Sequence, residues 1–197
     1  MSDTEKTDNG NLGSKLALRR HFLSRYHAEG QVRVLDCCAG DGVIWTKLRK
    51  EFKVDSYFPL DRKPKAGRIR IDDSARITAL PGLRENVIDV DTYGVPWKHF
   101  IGIVSNLAAP LTVFLTIGHV IVGRGTMISR EEARVLGLNF RRYSLPMAFN
   151  ARLLHLATER LLALPLERGI PVVEAQEIDG PHVSYIGLRL GAPPGRA

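Results

Sequence analysis

An acid and two closely spaced glycines end the first apolar run of the chain, where residues Leu35 to Gly42 read Leu-Asp-Cys-Cys-Ala-Gly-Asp-Gly. Val32 to Leu35 predicts a short buried strand, and Val43 to Phe52 has apolar residues at helical spacing. The glycines therefore fall in a strand-to-helix turn, where the backbone can turn tightly and a ligand can approach without meeting a Cβ atom. Nucleotide-type cofactors bind at turns of this kind.

The spacing of the glycines discriminates between cofactors. A dinucleotide turn, Gly-x-Gly-x-x-Gly, needs a third glycine for close packing of helix on strand, and Trp45 stands at that position. The Gly-Lys-Ser/Thr of a triphosphate-binding loop is also missing. The pattern thus disfavours both nicotinamide and triphosphate ligands.

Acids recur at the ends of the strands predicted next. Asp61 follows the apolar run 57–60. Its spacing from Asp36 along the chain is that at which nucleotide-binding units place a carboxylate for ribose hydroxyls. Asp72, Asp73 and Ser74 follow a third run, and a fourth, beginning at Asn86, carries Asp89 and Asp91. Each of Asp41, Asp72, Asp73 and Asp89 has an alternative interpretation as a helix cap or turn residue.

The turn, in the form Asp-x-x-Ala-Gly-x-Gly, resembles motif I of the Rossmann-like, class I methyltransferases that use S-adenosylmethionine (SAM). The resemblance implies that Asp36 lies near the methionine part of SAM, that Asp61 holds the ribose, and that a polar residue after strand three lies near the adenine amino group. The cofactor-binding residues implied are Asp36, Cys37, Ala39, Gly40, Gly42, Asp61, Asp73 and Ser74.

The segment after strand four resembles the motif of SAM-dependent amino methyltransferases, in which Asp or Asn is followed by Pro and an aromatic residue. Here it reads Asp91-Thr92-Tyr93-Gly94, with threonine in place of proline. The longer stretch 88–96 resembles the tRNA guanine-26 N2-methyltransferases. The resemblance implies that Asp91 accepts the hydrogens of a target amine and that Tyr93 stacks on the base, for direct displacement at the methyl group.

Length and charge indicate the number of domains and the kind of partner. The 197 residues suit one domain, and a formal charge of +7 with a pI near 9.7 favours a polyanionic partner such as RNA or DNA. An inserted segment, about 120–150, interrupts the strand–helix order and is the predicted recognition element. Its candidate substrate contacts are Arg124, Arg141, Arg142 and Tyr143; the alternative is a solvated connection.

Alternating strand and helix signals predict an α/β fold: a Rossmann-like, doubly wound, seven-stranded and mostly parallel sheet with a C-terminal antiparallel hairpin. Residues 1–13 are expected to be a flexible tail and 14–197 a single domain whose first helix begins at Ser14. The last helix is expected at about Met147 to Leu164, and the hairpin strands at Pro171 to Ile178 and His182 to Leu190.

The expected function is SAM-dependent N-methylation of a nucleobase in RNA or DNA by a cytoplasmic enzyme. Two alternatives stay open: a methyltransferase of a small molecule or protein, and a non-catalytic nucleic-acid-binding module with the SAM fold. Cys37 and Cys38 are adjacent and are expected to be reduced packing residues; no Cys/His set has metal spacing, and no membrane span is predicted.

Overall fold

The computed structural model describes residues 11–71, 73–92, 95–118, 147–180 and 183–194, with only the backbone at 147–154 and 157. Several predictions on function lie outside these residues: the stacking residue Tyr93, and the four substrate contacts Arg124, Arg141, Arg142 and Tyr143. They stay predictions.

Helices and strands alternate along the first two thirds of the chain. The helices are α1 (Leu12–Tyr26), α2 (Val43–Leu48), α3 (Ala75–Thr78), α4 (Trp97–Asn106) and α5 (Met147–Glu167). The strands are β1 (Val32–Asp36), β2 (Val54–Asp61), β3 (Ile69–Arg70), β4 (Val87–Val90), β5 (Leu111–Gly118), β6 (Val172–Gly180) and β7 (Val183–Leu190).

The strands form one sheet in the order β3-β2-β1-β4-β5-β7-β6. Strands β1 to β5 pair in parallel, whereas β7 is antiparallel to both β5 and β6. The predicted fold class is therefore confirmed. In the parallel register, Asp36 of β1 lies opposite Asp89 of β4, so the acids of neighbouring strands meet at the carboxyl edge of the sheet.

A core lies on each face of the sheet, because alternate residues of a strand point to opposite faces. On one face, Trp97 of α4 and Leu161 of α5 belong to one buried core with Val113 of β5. On the other face, Phe22 of α1 and Trp45 of α2 pack with Phe114. Trp45 and Trp97 are each fully buried and anchor these two cores.

Helix boundaries differ from the expectation at several places. Helix α1 begins at Leu12, and the Lys15 N–H donates to the Asn11 carbonyl, so Ser14 lies inside the first turn and not at its cap. Helix α2 ends at Leu48, four residues before the predicted end. Helix α5 continues past Leu164 to Glu167.

Candidate cofactor and active site

The glycine turn between β1 and α2 has the left-handed backbone that its glycines allow. Gly40 has φ +49° and Gly42 φ +67°, values that other residues rarely adopt. The Gly42 N–H donates to the Ala39 carbonyl at 2.7 Å, and the Ala39 N–H donates to Leu60 at 2.9 Å, which ties the turn to the end of β2. The turn thus presents backbone at the carboxyl edge of the sheet.

Asp61, the carboxylate expected to hold ribose hydroxyls, lies against this turn. Its Oδ2 accepts the Gly40 N–H at 2.8 Å, and its Oδ1 accepts the Lys63 N–H at 2.8 Å. The guanidinium of Arg68 lies 3.4 Å from Oδ2. Because a carboxylate has about four acceptor sites, Asp61 keeps capacity for a ligand hydroxyl.

Arg68 is a candidate ligand contact that the sequence analysis missed. It donates to the Gly40 carbonyl beside Asp61, while its Nε is buried and has no partner among the described residues. A buried donor without a partner is costly unless something accepts its hydrogen. A donor and a carboxylate side by side at a glycine turn suit the hydroxyls of a nucleoside, so the residues present fit the ribose of SAM.

Ser74 also lies close to the turn, and its cofactor-binding role stays a prediction. Its Oγ lies 4.0 Å from Cys38 Sγ and 2.8 Å from Nε2 of His99, which projects from α4. Burial lowers the pKa of His99 to about 4, so the ring is neutral at physiological pH. The pair Ser74 and His99 is a hydrogen-bonding group on the β3 side of the turn, and His99 had no signal in the sequence beyond being a lone histidine.

Asp73 has a local role at the start of α3, which agrees with its alternative interpretation as a helix cap or turn residue. Its Oδ1 accepts the N–H of Ala75, the first residue of α3, at 3.2 Å, and its carboxylate pairs with Lys98 and with Arg76. The hydrogen bond from Lys98 holds the pKa of Asp73 below its ordinary value. These partners occupy much of the carboxylate, so its cofactor role stays a prediction.

Asp36 is buried beneath the turn and accepts a hydrogen bond from the Tyr57 hydroxyl at 2.8 Å. Burial raises its pKa well above the ordinary value, and the nearby charges of Asp89 and Asp91 raise it further. Both effects favour the protonated form of Asp36. Its neighbour Cys37 is buried too, and burial raises the pKa of both free thiols, that of Cys38 to about 12, which makes them unreactive packing groups.

Asp89 is a structural acid in the interior. Arg19 of α1 binds it with two hydrogen bonds, Nε to Oδ2 at 2.7 Å and Nη2 to Oδ1 at 2.6 Å, and the Trp45 indole N–H donates to Oδ2 at 2.8 Å. Both charged side chains are almost fully buried. This contact explains Trp45 at the position where a dinucleotide turn needs glycine: the indole both fills the core and satisfies a buried carboxylate.

Asp91, the predicted catalytic carboxylate, follows β4 at the same edge of the sheet. The ammonium of Lys15 binds both its oxygens, at 2.9 and 2.7 Å, and the two side chains are 12% and 20% exposed, Lys15 first. Burial favours the protonated form of Asp91, but the charges of Lys15 and Arg19 outweigh it and hold its pKa below the ordinary value. Asp91 is thus ionised and accessible.

Two cations of α1, Lys15 and Arg19, bind acids at the carboxyl end of β4. Lys15 and Arg19 are one helical turn apart, which places them on the same side of α1, and both point at acids of β4 and the residue after it. The available signal was the number of acids predicted at strand ends, because buried carboxylates need cationic partners.

A cavity of about 500 Å³ lies at the opposite end of the sheet, lined by Arg33, Asn86 and the α4–β5 connection around Pro110. It is separated from the glycine turn by the length of the strands and is not part of this site. Among the described residues, no group of His, Cys, Asp and Glu side chains could hold a metal ion.

Comparison with known proteins supports the fold. No family model and no curated protein sequence matches the chain. Among solved structures, Trm1 from Pyrococcus horikoshii, in complex with S-adenosyl-L-methionine, matches 94% of this chain and 56% of its own at 14% identity, with a TM-score of 0.58. Trm5b from Pyrococcus abyssi matches 91% and 49% at 14% identity, with a TM-score of 0.48.

The chain thus spans about half the length of either protein. Together with the strand order, the match to Trm1 shows that it has the class I SAM methyltransferase fold. Within the described residues, no helix is long and apolar enough to cross a membrane.

Proposed function

We propose that this protein is a SAM-dependent methyltransferase that N-methylates a nucleobase in RNA or DNA. The observation that carries the proposal is the arrangement of the carboxyl edge. The glycine turn with Asp61 lies on one side, and the ionised, accessible Asp91 lies after β4, the other neighbour of β1. A cofactor subsite and an acceptor for amine hydrogens are therefore neighbours.

Three side chains and the turn would hold the cofactor. Gly40 and Gly42 would provide the close backbone approach, Asp61 and Arg68 would bind the ribose hydroxyls, and Ser74 is proposed to lie near the adenine amino group. When bound, SAM supplies a methyl group on a sulfonium sulfur, which is already a good leaving group. The protein therefore needs mainly to align the nucleophile and to stabilise the charge that develops on it.

Asp91 provides that stabilisation. An exocyclic amine that attacks a methyl group becomes positively charged, and a fixed, ionised carboxylate offsets this charge while accepting the hydrogens of the amine. Lys15 keeps Asp91 ionised and oriented, and the target amine must share its oxygens with Lys15 or replace it. The base must leave its stack to reach this position, and Tyr93 is proposed to stack on it.

On the substrate side, the formal charge of +7 supports a polyanionic partner. Arg124, Arg141, Arg142 and Tyr143 are proposed to contact it. The proposal leaves the kind of RNA or DNA to experiment, because the chain spans about half the length of Trm1.

A second candidate is a nucleic-acid-binding module that has the SAM fold without transfer. Two features favour it: Lys15 already occupies both oxygens of Asp91, and Thr92 stands where the amino methyltransferase motif has proline.

Transfer of tritiated methyl from SAM to separated pools of tRNA, rRNA, DNA and protein tests the proposal. Asp91→Ala is run beside Asp55→Ala, a matched control, since Asp55 is an exposed acid of β2. Counts in one nucleic-acid pool that Asp91→Ala abolishes and Asp55→Ala retains are the expected result. If the protein binds SAM by calorimetry and no pool is labelled, the proposal is wrong and the non-catalytic module is favoured.

A further inference from the structure

The segment that follows β2 is the most basic stretch of the described chain. Residues 62–70, named here the basic loop, read Arg-Lys-Pro-Lys-Ala-Gly-Arg-Ile-Arg, so five of nine residues are cationic and none is acidic. The side chains of Arg62, Lys63, Lys65 and Arg70 are exposed, and no described acid lies within ion-pair distance of Arg62 or Arg70. Cations so close together repel one another, and a bound anion relieves this repulsion.

The basic loop is held firmly against the glycine turn. Asp61 binds both ends of it, through the Lys63 N–H and the Arg68 guanidinium, and Arg68 also donates to Gly40. The Arg68 N–H donates back to the Lys65 carbonyl at 3.2 Å. The loop is therefore a preorganised surface, and its exposed cations are presented beside the cofactor subsite.

One of these cations can exchange its partner easily. Lys65 pairs with Asp41 of the glycine turn at 2.8 Å, but the two side chains are 48% and 58% exposed. Ion pairs at such exposure contribute about 0–1 kcal/mol. A phosphate can therefore take the place of Asp41 at little cost.

The basic loop also lies at a suitable distance from the proposed active site. One strand, β1, separates β2 from β4, and neighbouring strands are about 4.8 Å apart. The loop therefore starts about 10 Å from the end of β4, where Asp91 follows. A nucleotide strand has a phosphate about every 3.4 Å of helix axis, so phosphates flanking a base at Asp91 fall within reach.

We infer that the basic loop binds the phosphate backbone of a nucleic acid whose target base lies at Asp91. The inference rests on the proposed function and adds a contact surface to the one predicted in the segment 120–150. Because phosphate contacts carry no sequence information, the loop positions the strand and does not select the base.

The test removes three charges from the loop and leaves in place Arg68, which anchors it, and Lys65, which pairs with Asp41. The variant is Arg62→Gln/Lys63→Gln/Arg70→Gln. The matched control, Lys47→Gln/Lys50→Gln/Lys53→Gln, removes three exposed cations on and just after α2. Both lower the formal charge from +7 to +4, by 7 − 3. Thermal unfolding first confirms that each variant folds, and the single variants Arg62→Gln and Arg70→Gln serve if the triple variant does not.

Fluorescence anisotropy then follows binding of an RNA hairpin and of a DNA hairpin of the same sequence between 50 and 300 mM salt, roughly the range over which counterion release is measured. For the loop variant we expect about tenfold weaker binding, and a slope of log K against log salt that is smaller by about 2, since each phosphate contact contributes about 0.7 to 0.9. The control should change affinity less than about twofold. If the salt slope is smaller for the loop variant with one hairpin only, that hairpin shows whether the loop binds RNA or DNA.

Equal losses in the loop variant and the control would overturn the inference, because the effect would then follow net charge alone. If the loop variant binds both hairpins like the wild type, the inference also fails, although Asp91-dependent methyl transfer could still stand. If the wild type binds neither hairpin yet binds SAM, the proposed nucleic-acid substrate fails as well.

Discussion

Replacing Lys15 by Met tests the contact on which the proposed active site depends. The ammonium makes two charged hydrogen bonds to Asp91, at 2.9 and 2.7 Å, and both side chains are mostly buried. Hydrogen bonds to charged groups contribute about 1.5–3 kcal/mol, so we expect Lys15→Met to lower the free energy of unfolding by about 2 kcal/mol. For a chain of this size the melting temperature should fall by about 6 °C.

A double-mutant cycle with Asp91→Asn assigns that loss to the pair. Urea unfolding of the wild type, both single variants and the double variant gives the coupling free energy, provided that the m-value is unchanged. Because Lys15→Met/Asp91→Asn leaves no uncompensated charge, it should be more stable than the sum of the single losses predicts. Additivity within about 0.5 kcal/mol would refute the contact.

The same variant changes the pH dependence of stability. Asp91 has a depressed pKa in the folded protein, so its contribution is present above the pKa of the unfolded chain and is lost as pH falls through the folded value. Without the charge of Lys15, burial raises the folded pKa of Asp91 toward its unfolded value, so the acid loss of stability that Asp91 causes should shrink in acid-denaturation series. Methyl transfer, which needs ionised Asp91, should instead lose activity at a higher pH than in the wild type.

Three further changes have separate signatures. Asp89→Asn leaves the buried Arg19 without its counter-charge and should cost about 3–5 kcal/mol in urea unfolding; a loss under about 1 kcal/mol would contradict the buried pair. His99 has a folded pKa of about 4, against about 6.5 in the unfolded chain. The free energy of unfolding should therefore fall as pH drops from about 6.5 to 4, by about 3 kcal/mol at most. In urea unfolding at a series of pH values, His99→Gln should flatten that decline. Asp36, whose pKa is raised, binds its proton more tightly in the folded protein, so the free energy of unfolding falls as pH rises above about 4. Asp36→Asn should remove this pH dependence. If the variant instead loses the same stability at every pH, the pKa of Asp36 is not raised.

The fold could be predicted from the sequence because its signals are local. Each of β1 to β4 ends in an acid or has one within a few residues, and parallel pairing then brings these ends to one edge of the sheet. The approach of Asp61 to Gly40 and of Ser74 to Cys38 is consistent with that topology. The C-terminal hairpin was predictable for a similar reason, since two strands joined by a tight turn must be antiparallel.

The cationic partners of the site could not be predicted in the same way. Lys15 and Asp91 are 76 positions apart, and Arg19 and Asp89 are 70 apart. The basic side of a helix is solvated unless acids elsewhere in the fold contact it. Helical periodicity contains no information about a partner that is so far away in the sequence. Arg68 was missed because a loop side chain has no periodic spacing, and its direction depends on the contacts with Asp61.

The buried charges beneath the glycine turn explain why Asp91 is the proposed reactive carboxylate of the three. Asp36, Asp89 and Asp91 lie near two cations, Arg19 and Lys15, but the hydrogen-bond partner of Asp36 is a hydroxyl and not a cation. Burial raises the pKa of Asp36, which favours its protonated form. Asp89 is sealed in its pair with Arg19. Asp91 has a depressed pKa and a side chain that is 20% exposed, so it is the charged and partly accessible acid of the three, the state that an acceptor of amine hydrogens requires.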